Sequence, residues 1–401
     1  MTQSSNGRDH RAVVVGGGIG GLTAAAALHR YGWQVTVLER AARLEPVGAA
    51  ISLTPNALRA LDVIGVGDRI RDLAAWQGDG GLRTPGGRWL SRSDAAAVAA
   101  RFGGPLVLLH RSTLIDTVAA LLPPGIVRTA VDAVLTDSGD AARPARVRAA
   151  DEEWEADLVI GADGIRSAVR GTLFPEHPGP VYSGFTTWRI VIPVPQAEFA
   201  PHETWGRGRI WGTQPLKDGR VYAYAAATVP AGGHAVDDEK AELVRRFGDW
   251  HDPIPAVIAA ARPEDVLRHD VHHIDRPLPA YHRGRVALLG DAAHAMPPTL
   301  GQGGNQAIED AVVLAHHARD LPAYTAARLP RTTAIACQAV RTGRLNLTRN
   351  RAAIAIRNTA IAALSKAVPA LLLRGFDDIG DWRPPYASGQ VPVGDTLEES
   401  T

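Results

Sequence analysis

Asp291 stands directly after an apolar run, GRVALLG (284–290), and is followed by His294, two prolines and a glycine-rich stretch, GQGGN (301–305). A carboxylate only accepts hydrogen bonds, so at the C-terminal end of a buried strand it suits the hydroxyls of a sugar or polyol. Gly301, Gly303 and Gly304 remove side chains where a flat ring could approach the backbone. A helix opening near Gly304 and Asn305 would aim N–H groups and a positive dipole end at that ring. Far upstream, Gly16-x-Gly18-x-x-Gly21 separates an apolar run from an alanine-rich stretch, and Glu39 ends the next apolar run. That is the context a dinucleotide fingerprint requires. Gly16 permits the tight turn, Gly18 lets a pyrophosphate approach, and Gly21 lets helix and strand pack closely. Ile19 and Gly20 open the helix whose free N–H groups face the phosphates. Glu39 can bind a ribose hydroxyl; with Arg40 beside it, it can also read as a charged pair on a strand end. The fingerprint alone does not choose between NAD and FAD. Asp163, in DLVIGADGIRSAVR (157–170), closes a third apolar run.

These residues need a scaffold that brings several strand ends together. Strands are expected at 12–15, 34–39, 126–135, 145–150, 154–160 and 286–289. Helices are expected at 22–31, 55–64, 112–122 and 304–318, with hydroxyl caps at Thr54 and Ser112. Residues 78–90 read as a hairpin and 181–228 as mostly β, followed by helices at 237–247 and 254–261. Helices at 322–347 and 352–373 finish the chain. The simplest account is an α/β fold with a parallel sheet, interrupted by a β-rich domain and completed by a helical tail.

Composition bounds the rest. The chain has 401 residues, 45% hydrophobic and 21% charged, with a net charge of +1. Such a balance gives no argument for nucleic acid as a partner. The single cysteine, Cys337, excludes an internal disulfide and any Cys-cluster metal site, and suits a reducing cytoplasm. No signal peptide, membrane span or membrane contact is expected.

Taken in order, the GxGxxG, DG and GD motifs make the chain similar to the class A flavoprotein monooxygenases, the p-hydroxybenzoate hydroxylase-like family. The resemblance covers nearly the whole chain. It implies a Rossmann-like FAD-binding domain made of 1–77, 101–176 and 276–320. A β-sheet substrate domain would comprise 78–100 and 177–275, and a C-terminal helical segment 321–401. It implies that Gly16, Gly18, Ile19, Gly20, Gly21, Glu39 and Arg40 hold the adenosine diphosphate part of FAD. Arg111 would reach the phosphates and ribityl chain, and Asp163 would serve both FAD and the nicotinamide cofactor. Gly290 and Asp291 would hold the ribityl hydroxyls, with Pro298, Gly301, Gly303, Gly304 and Asn305 beside the flavin ring. Pro298 would also border the reacting centre. His294 is expected to be structural.

The implied chemistry is reduction of FAD by NADPH or NADH, bound transiently, then activation of O2 and transfer of one oxygen atom to an electron-rich carbon. The product would be a hydroxylated or epoxidised aromatic or polyene-like small molecule. TTWRIVIPVP (186–195), GRVYAYAAATVP (219–230) and GDWHDPIPAVI (248–258) resemble the group of urate, salicylate and 3-hydroxybenzoate hydroxylases and zeaxanthin epoxidase. In the urate enzymes an Arg and a Tyr on neighbouring strands bind substrate. Arg209 and Tyr222 fall near those places, with the spacing one residue longer, and Tyr224 competes for the same role. Trp188 and Arg189 are expected to shape the sheet face. A flavin halogenase or reductase of the same fold, or a non-catalytic flavin-binding sensor, are the alternatives. A halogenase would show a catalytic lysine. A cytoplasmic monomer or homodimer is expected.

Overall fold

The computed structural model describes residues 10–44, 50–74, 80–93, 95–193, 200–367 and 376–385. The start of the expected 78–90 hairpin and the end of the expected 352–373 helix lie outside them.

A six-stranded sheet has the order His282–Arg283, Val286–Leu288, Leu158–Gly161, Arg11–Val15, Gln34–Leu38, Val127–Arg128. All neighbours run parallel except the first pair. Its central strands are apolar runs because helices cover both faces, so neither face needs polar residues. Ile19–Arg30 and Gly303–His316 pack against each other beside it, and their apolar side chains join one core with the strands. The expected 126–135 strand is two short pieces, Val127–Arg128 and Val134–Asp137. The second belongs to a separate three-stranded antiparallel sheet with Ala145–Ala149 and Glu152–Ala156.

A seven-stranded sheet runs Leu267–His273, Val181–Pro193, Arg220–Ala227, Arg209–Pro215, His202–Trp205, Gly80–Arg83, Trp89–Ser93. One of its faces packs on the helices Glu239–Phe247 and Ile254–Ala260 through Trp188, Ile190, Trp211, Val221, Ala223 and Phe247. The other face is turned to a cavity. In the regular central strands, alternation therefore sends neighbouring side chains to the core and to the cavity in turn.

Helix Leu321–Asn346 tolerates an internal Pro330. Helix Arg351–Ala367 follows, and Arg357 is its one buried residue among those described. Among the described residues no helix is long and apolar enough to cross a membrane.

Candidate active site

The cavity encloses about 1380 Å³ and runs from the glycine-rich turn at Gly16, past Asp163 and Asp291, to the open face of the seven-stranded sheet. That exceeds the usual space of one drug-sized ligand and leaves room for a dinucleotide and a second molecule.

At one end, Gly16 has φ +110°, and a Cβ there would lie 2.4 Å from the Ala162 carbonyl oxygen. A Cβ on Gly21 would lie 2.1 Å from the Gly16 carbonyl oxygen, whereas one on Gly18 would meet no protein atom within 4 Å. Gly16 and Gly21 are thus required by the protein's own packing, while the open side of Gly18 faces the cavity. Ile19 starts the helix, and its N-cap Gly18 offers no side-chain cap, so the first N–H groups point at the cavity. Glu39 accepts from Gly17 N–H (2.6 Å) and Ala41 N–H (2.8 Å), one bond per oxygen. Each oxygen keeps a lone pair for a hydroxyl. Arg40 lines the cavity beside it.

Asp163 differs from expectation in being already engaged. It accepts from Ser167 Oγ (2.5 Å) and Val169 N–H (3.1 Å), so it organises the start of helix Ala168–Leu173 while lining the cavity. Arg170, on that helix, is buried and donates to the carbonyls of Ile165 (2.7 Å) and Ala292 (3.0 Å). It ties the DG loop to the GD helix.

Asp291 opens the short helix Asp291–His294 and projects into the cavity. Among the described residues its carboxylate accepts no hydrogen bond, unlike Asp163 and Asp310. Arg111, at the start of helix Arg111–Ala119, lines the same space. Burial lowers its pKa, and Asp291 opposes that shift. Pro298, Gly301, Gly303 and Gly304 line the cavity. Asn305 does not. Its side chain is fully buried, donating to the carbonyls of Ser52 (2.8 Å) and Gly301 (2.7 Å) and accepting from Thr54 N–H (3.0 Å). The Thr54 hydroxyl, expected as a helix cap, instead donates to Asn56 (2.5 Å).

Beneath this loop lies a buried ionic network. Gly290 N–H (2.9 Å) and His294 Nε2 (2.5 Å) meet one Asp310 oxygen, and Arg328 Nε (2.7 Å) meets the other. Arg328 also donates to Glu309 (2.5 Å), which takes further bonds from Arg331 (2.8 and 2.9 Å) and Asn56 (2.6 Å). Burial works against the Asp310 charge, but His294, Arg328 and Gly290 outweigh it and hold the carboxyl well below the usual range. His294 spends its Nε2 on this network.

At the other end, strand register arranges the sheet face in rows. Arg189, Tyr224, Gly212 and Glu203 are successive cross-strand partners; Val191, Tyr222 and Gln214 form the next row. On the other side of the first row lie Thr187, Ala226, Ile210 and Trp205. Tyr224 lies over Gly212 and donates to Glu203 (2.5 Å), which also accepts from Trp205 Nε1 (2.7 Å). Burial, then Glu203, push the Tyr224 phenol well above its ordinary pKa. Tyr222 is raised by burial, against Arg189, and its hydroxyl has no partner among the described residues. Arg209 is not brought to the site. It occupies the opposite face, donates to the Arg246 carbonyl and lies over Phe247 and Trp250. Ile210 takes the cavity position instead. Trp188 is likewise on the core face, but Arg189 reaches the cavity. No lysine lines the cavity among the described residues.

Sequence reading missed Glu203, Gln214, Arg170 and the network. The legible signal for the last was Glu309-Asp310 inside the otherwise apolar helix AIEDAVVLA, since buried charges require partners.

The residues fit FAD: a phosphate cradle that a Cβ at Gly18 would fill, a half-satisfied carboxylate at Glu39 and an unbonded one at Asp291. Comparison with known proteins agrees. The "FAD binding domain" family signature matches residues 9–317. Aurachin C monooxygenase/isomerase of Stigmatella aurantiaca is 37% identical over 88% of this chain and 94% of its own. FAD-dependent urate hydroxylase of Klebsiella pneumoniae is 33% identical over 76% and 80%. The crystal structure of Klebsiella pneumoniae HpxO with FAD and uric acid superposes with a TM-score of 0.83 at 28% identity, covering 92% of this chain and 96% of that one. The chain belongs to the class A FAD-dependent monooxygenases, enzymes that use NAD(P)H and O2 to hydroxylate or epoxidise small molecules.

Proposed function

We propose that the Gly16–Gly21 end of the cavity holds the adenosine diphosphate of FAD, that Asp291 holds the ribityl hydroxyls, and that the sheet face at the far end is the substrate floor. The observation that carries this reading is the unbonded Asp291 carboxylate midway along one continuous cavity. The N–H groups of helix Ile19–Arg30 attract the pyrophosphate, and Glu39 accepts from the ribose. Arg111 offsets phosphate charge. Gly301, Gly303 and Gly304 leave the backbone bare beside the ring, where the N-terminus of helix Gly303–His316 favours negative charge. Bound FAD supplies two-electron transfer from NAD(P)H and oxygen activation; one oxygen atom enters the substrate and the other leaves as water. Asn305 fixes the loop from below rather than touching the ring. Asp163 acts chiefly by shaping the DG turn.

The division into an FAD domain of 1–77, 101–176 and 276–320, a substrate domain of 78–100 and 177–275, and a helical remainder follows from this reading. So does an aromatic or other electron-rich substrate. Its identity, cytoplasmic location and a monomeric or dimeric state are not needed for the chemistry.

The test is to purify the protein with FAD and record the flavin spectrum. NAD(P)H consumption is then followed across phenols, heteroaromatics and polyenes, with products weighed by mass spectrometry. Substrate-stimulated consumption with gain of one oxygen atom is expected. A protein that takes up no FAD would overturn the assignment, and FAD without any stimulated consumption would favour a sensor.

A further inference from the structure

The cavity face of the seven-stranded sheet is divided by polarity along the strands, and the register shows where the division falls. One row carries Arg189, Tyr224 and Glu203, and the next carries Tyr222 and Gln214. One repeat in the other direction the row is His269, Thr187, Ala226, Ile210 and Trp205, polar at its first two positions and apolar at the other three, with Phe185 beyond it. Phe185, Ile210, Ala226, Val271 and Leu347 form a buried apolar cluster with Trp205 packed on it, and all of them line the cavity. Same-face residues on a strand are about 6.6 Å apart, so the two halves are separated by one such step.

The polar half holds a cation, Arg189, that has no anionic partner among the described residues. Glu203 is occupied by Tyr224 and Trp205. Arg111 has Asp291 to offset it. Arg189 makes no ion pair or hydrogen bond among the described residues, although it lies close enough to influence Tyr222, His269 and Arg111. His269 lies on the neighbouring strand, its pKa lowered by burial and by Arg189. A half-buried guanidinium without an anion calls for one, and the Tyr222 hydroxyl beside it can donate to the same atom.

We propose that Arg189 and Tyr222 anchor an oxyanion of the substrate, and that the Ile210–Ala226–Trp205 row with Phe185 receives an apolar body attached to it. The substrate is then two-ended: an acidic carboxyl, phenol or enol on a ring at one end and a substantial hydrocarbon portion at the other. This rests on the proposed function, because it takes the sheet face as the substrate floor. Arg189 is a specificity-determining residue in this account. The apolar row fixes how far along the floor the ring lies, and so which carbon faces the flavin loop.

The test uses the FAD-loaded enzyme and reads binding by perturbation of the flavin absorbance, checked by calorimetry. The probes are para-octylbenzoate, its neutral amide, benzoate without a chain, and an ortho-difluorinated para-octylphenol that is ionised at assay pH. At least one octyl oxyanion is expected to bind about tenfold or more tighter than the octyl amide, as a charged hydrogen bond implies. It should also exceed benzoate by at least about tenfold, as burial of several methylenes implies. Arg189→Met should erase the preference over the amide and keep the preference over benzoate. Ile210→Asn should do the reverse. Binding of the benzoate alone, the phenolate alone or both tells which oxyanion is taken, and each supports the proposal. Equal affinity of oxyanions and amide, or head-group preference unchanged in Arg189→Met, would overturn it. FAD content measured on every variant separates this failure from failure of the cofactor assignment.

Discussion

Tyr224 donates its phenol proton to Glu203 across the strand that lies between them, and it does so because position 212 is glycine. A Cβ on Gly212 would sit 2.1 Å from Tyr224 Cζ. Gly212→Ala should therefore lift the ring into the cavity. The expected result is a KM raised about tenfold with FAD content unchanged, since overpacking of this kind costs about 1–3 kcal/mol. Steady-state kinetics alongside the flavin spectrum check it.

The two tyrosines should separate cleanly. Tyr224→Phe leaves a Glu203 oxygen without its donor and should lower stability by about 1–3 kcal/mol, measured by urea unfolding. Tyr222→Phe removes a hydroxyl without a protein partner among the described residues. It should leave stability within about 0.5 kcal/mol and weaken substrate binding instead.

Asp291→Ala tests the cofactor site. The carboxylate has no protein partner among the described residues to lose, so the circular dichroism spectrum should be unchanged. FAD retention on gel filtration should fall by at least about tenfold, the value of one charged hydrogen bond. Unchanged retention would mean that the ribityl chain is held elsewhere.

The glycine turn makes a paired prediction. Gly18→Ala places its methyl in open cavity, so the apoprotein should melt as the parent does while FAD binds more weakly. Gly21→Ala drives a methyl to within 2.1 Å of the Gly16 carbonyl oxygen and should destabilise the apoprotein itself. Thermal melting with and without added FAD distinguishes them.

Arg328 is the keystone of the buried charges. Arg328→Met leaves Asp310 and much of Glu309 unbalanced in the core and should cost about 3–5 kcal/mol. Both carboxyls are held below their ordinary range in the folded protein, burial being outweighed by Arg328 with His294 for Asp310 and with Arg331 for Glu309. Their contribution is thus complete above the unfolded carboxylate pKa of about 4 and is lost as pH falls toward the folded values. The parent should lose melting temperature below about pH 4, with a shallower acid slope in Arg328→Met.

The parallel sheet was legible because its strands are buried on both faces and read as apolar runs punctuated by glycine. Ala50–Leu53 and His282–Arg283 were not, being only four and two residues long. In the site, the motif positions Gly18, Glu39 and Asp291 were readable from type and context. Arg209 was misplaced for a specific reason. Side chains alternate along a strand, so an uncertainty of one residue exchanges Arg209 for Ile210 and core for cavity. Nor could sequence show that Asp163 and Asn305 spend their side chains on the scaffold.

The contacts around Glu309 join distant parts of the chain: Asn56 bonds it from near one end, Arg328 and Arg331 from near the other. Arg59 likewise reaches the carbonyls of Phe102, Gly380 and Trp382. A nascent chain emerging from the ribosome has the phosphate-binding turn early, but lacks the support under the flavin loop until helix Leu321–Asn346 is made. The support under the flavin loop is therefore incomplete until Arg328 and Arg331 are in place. A ribosome stalled before residue 328 would carry a chain able to collapse around its first strands yet unable to finish the cavity.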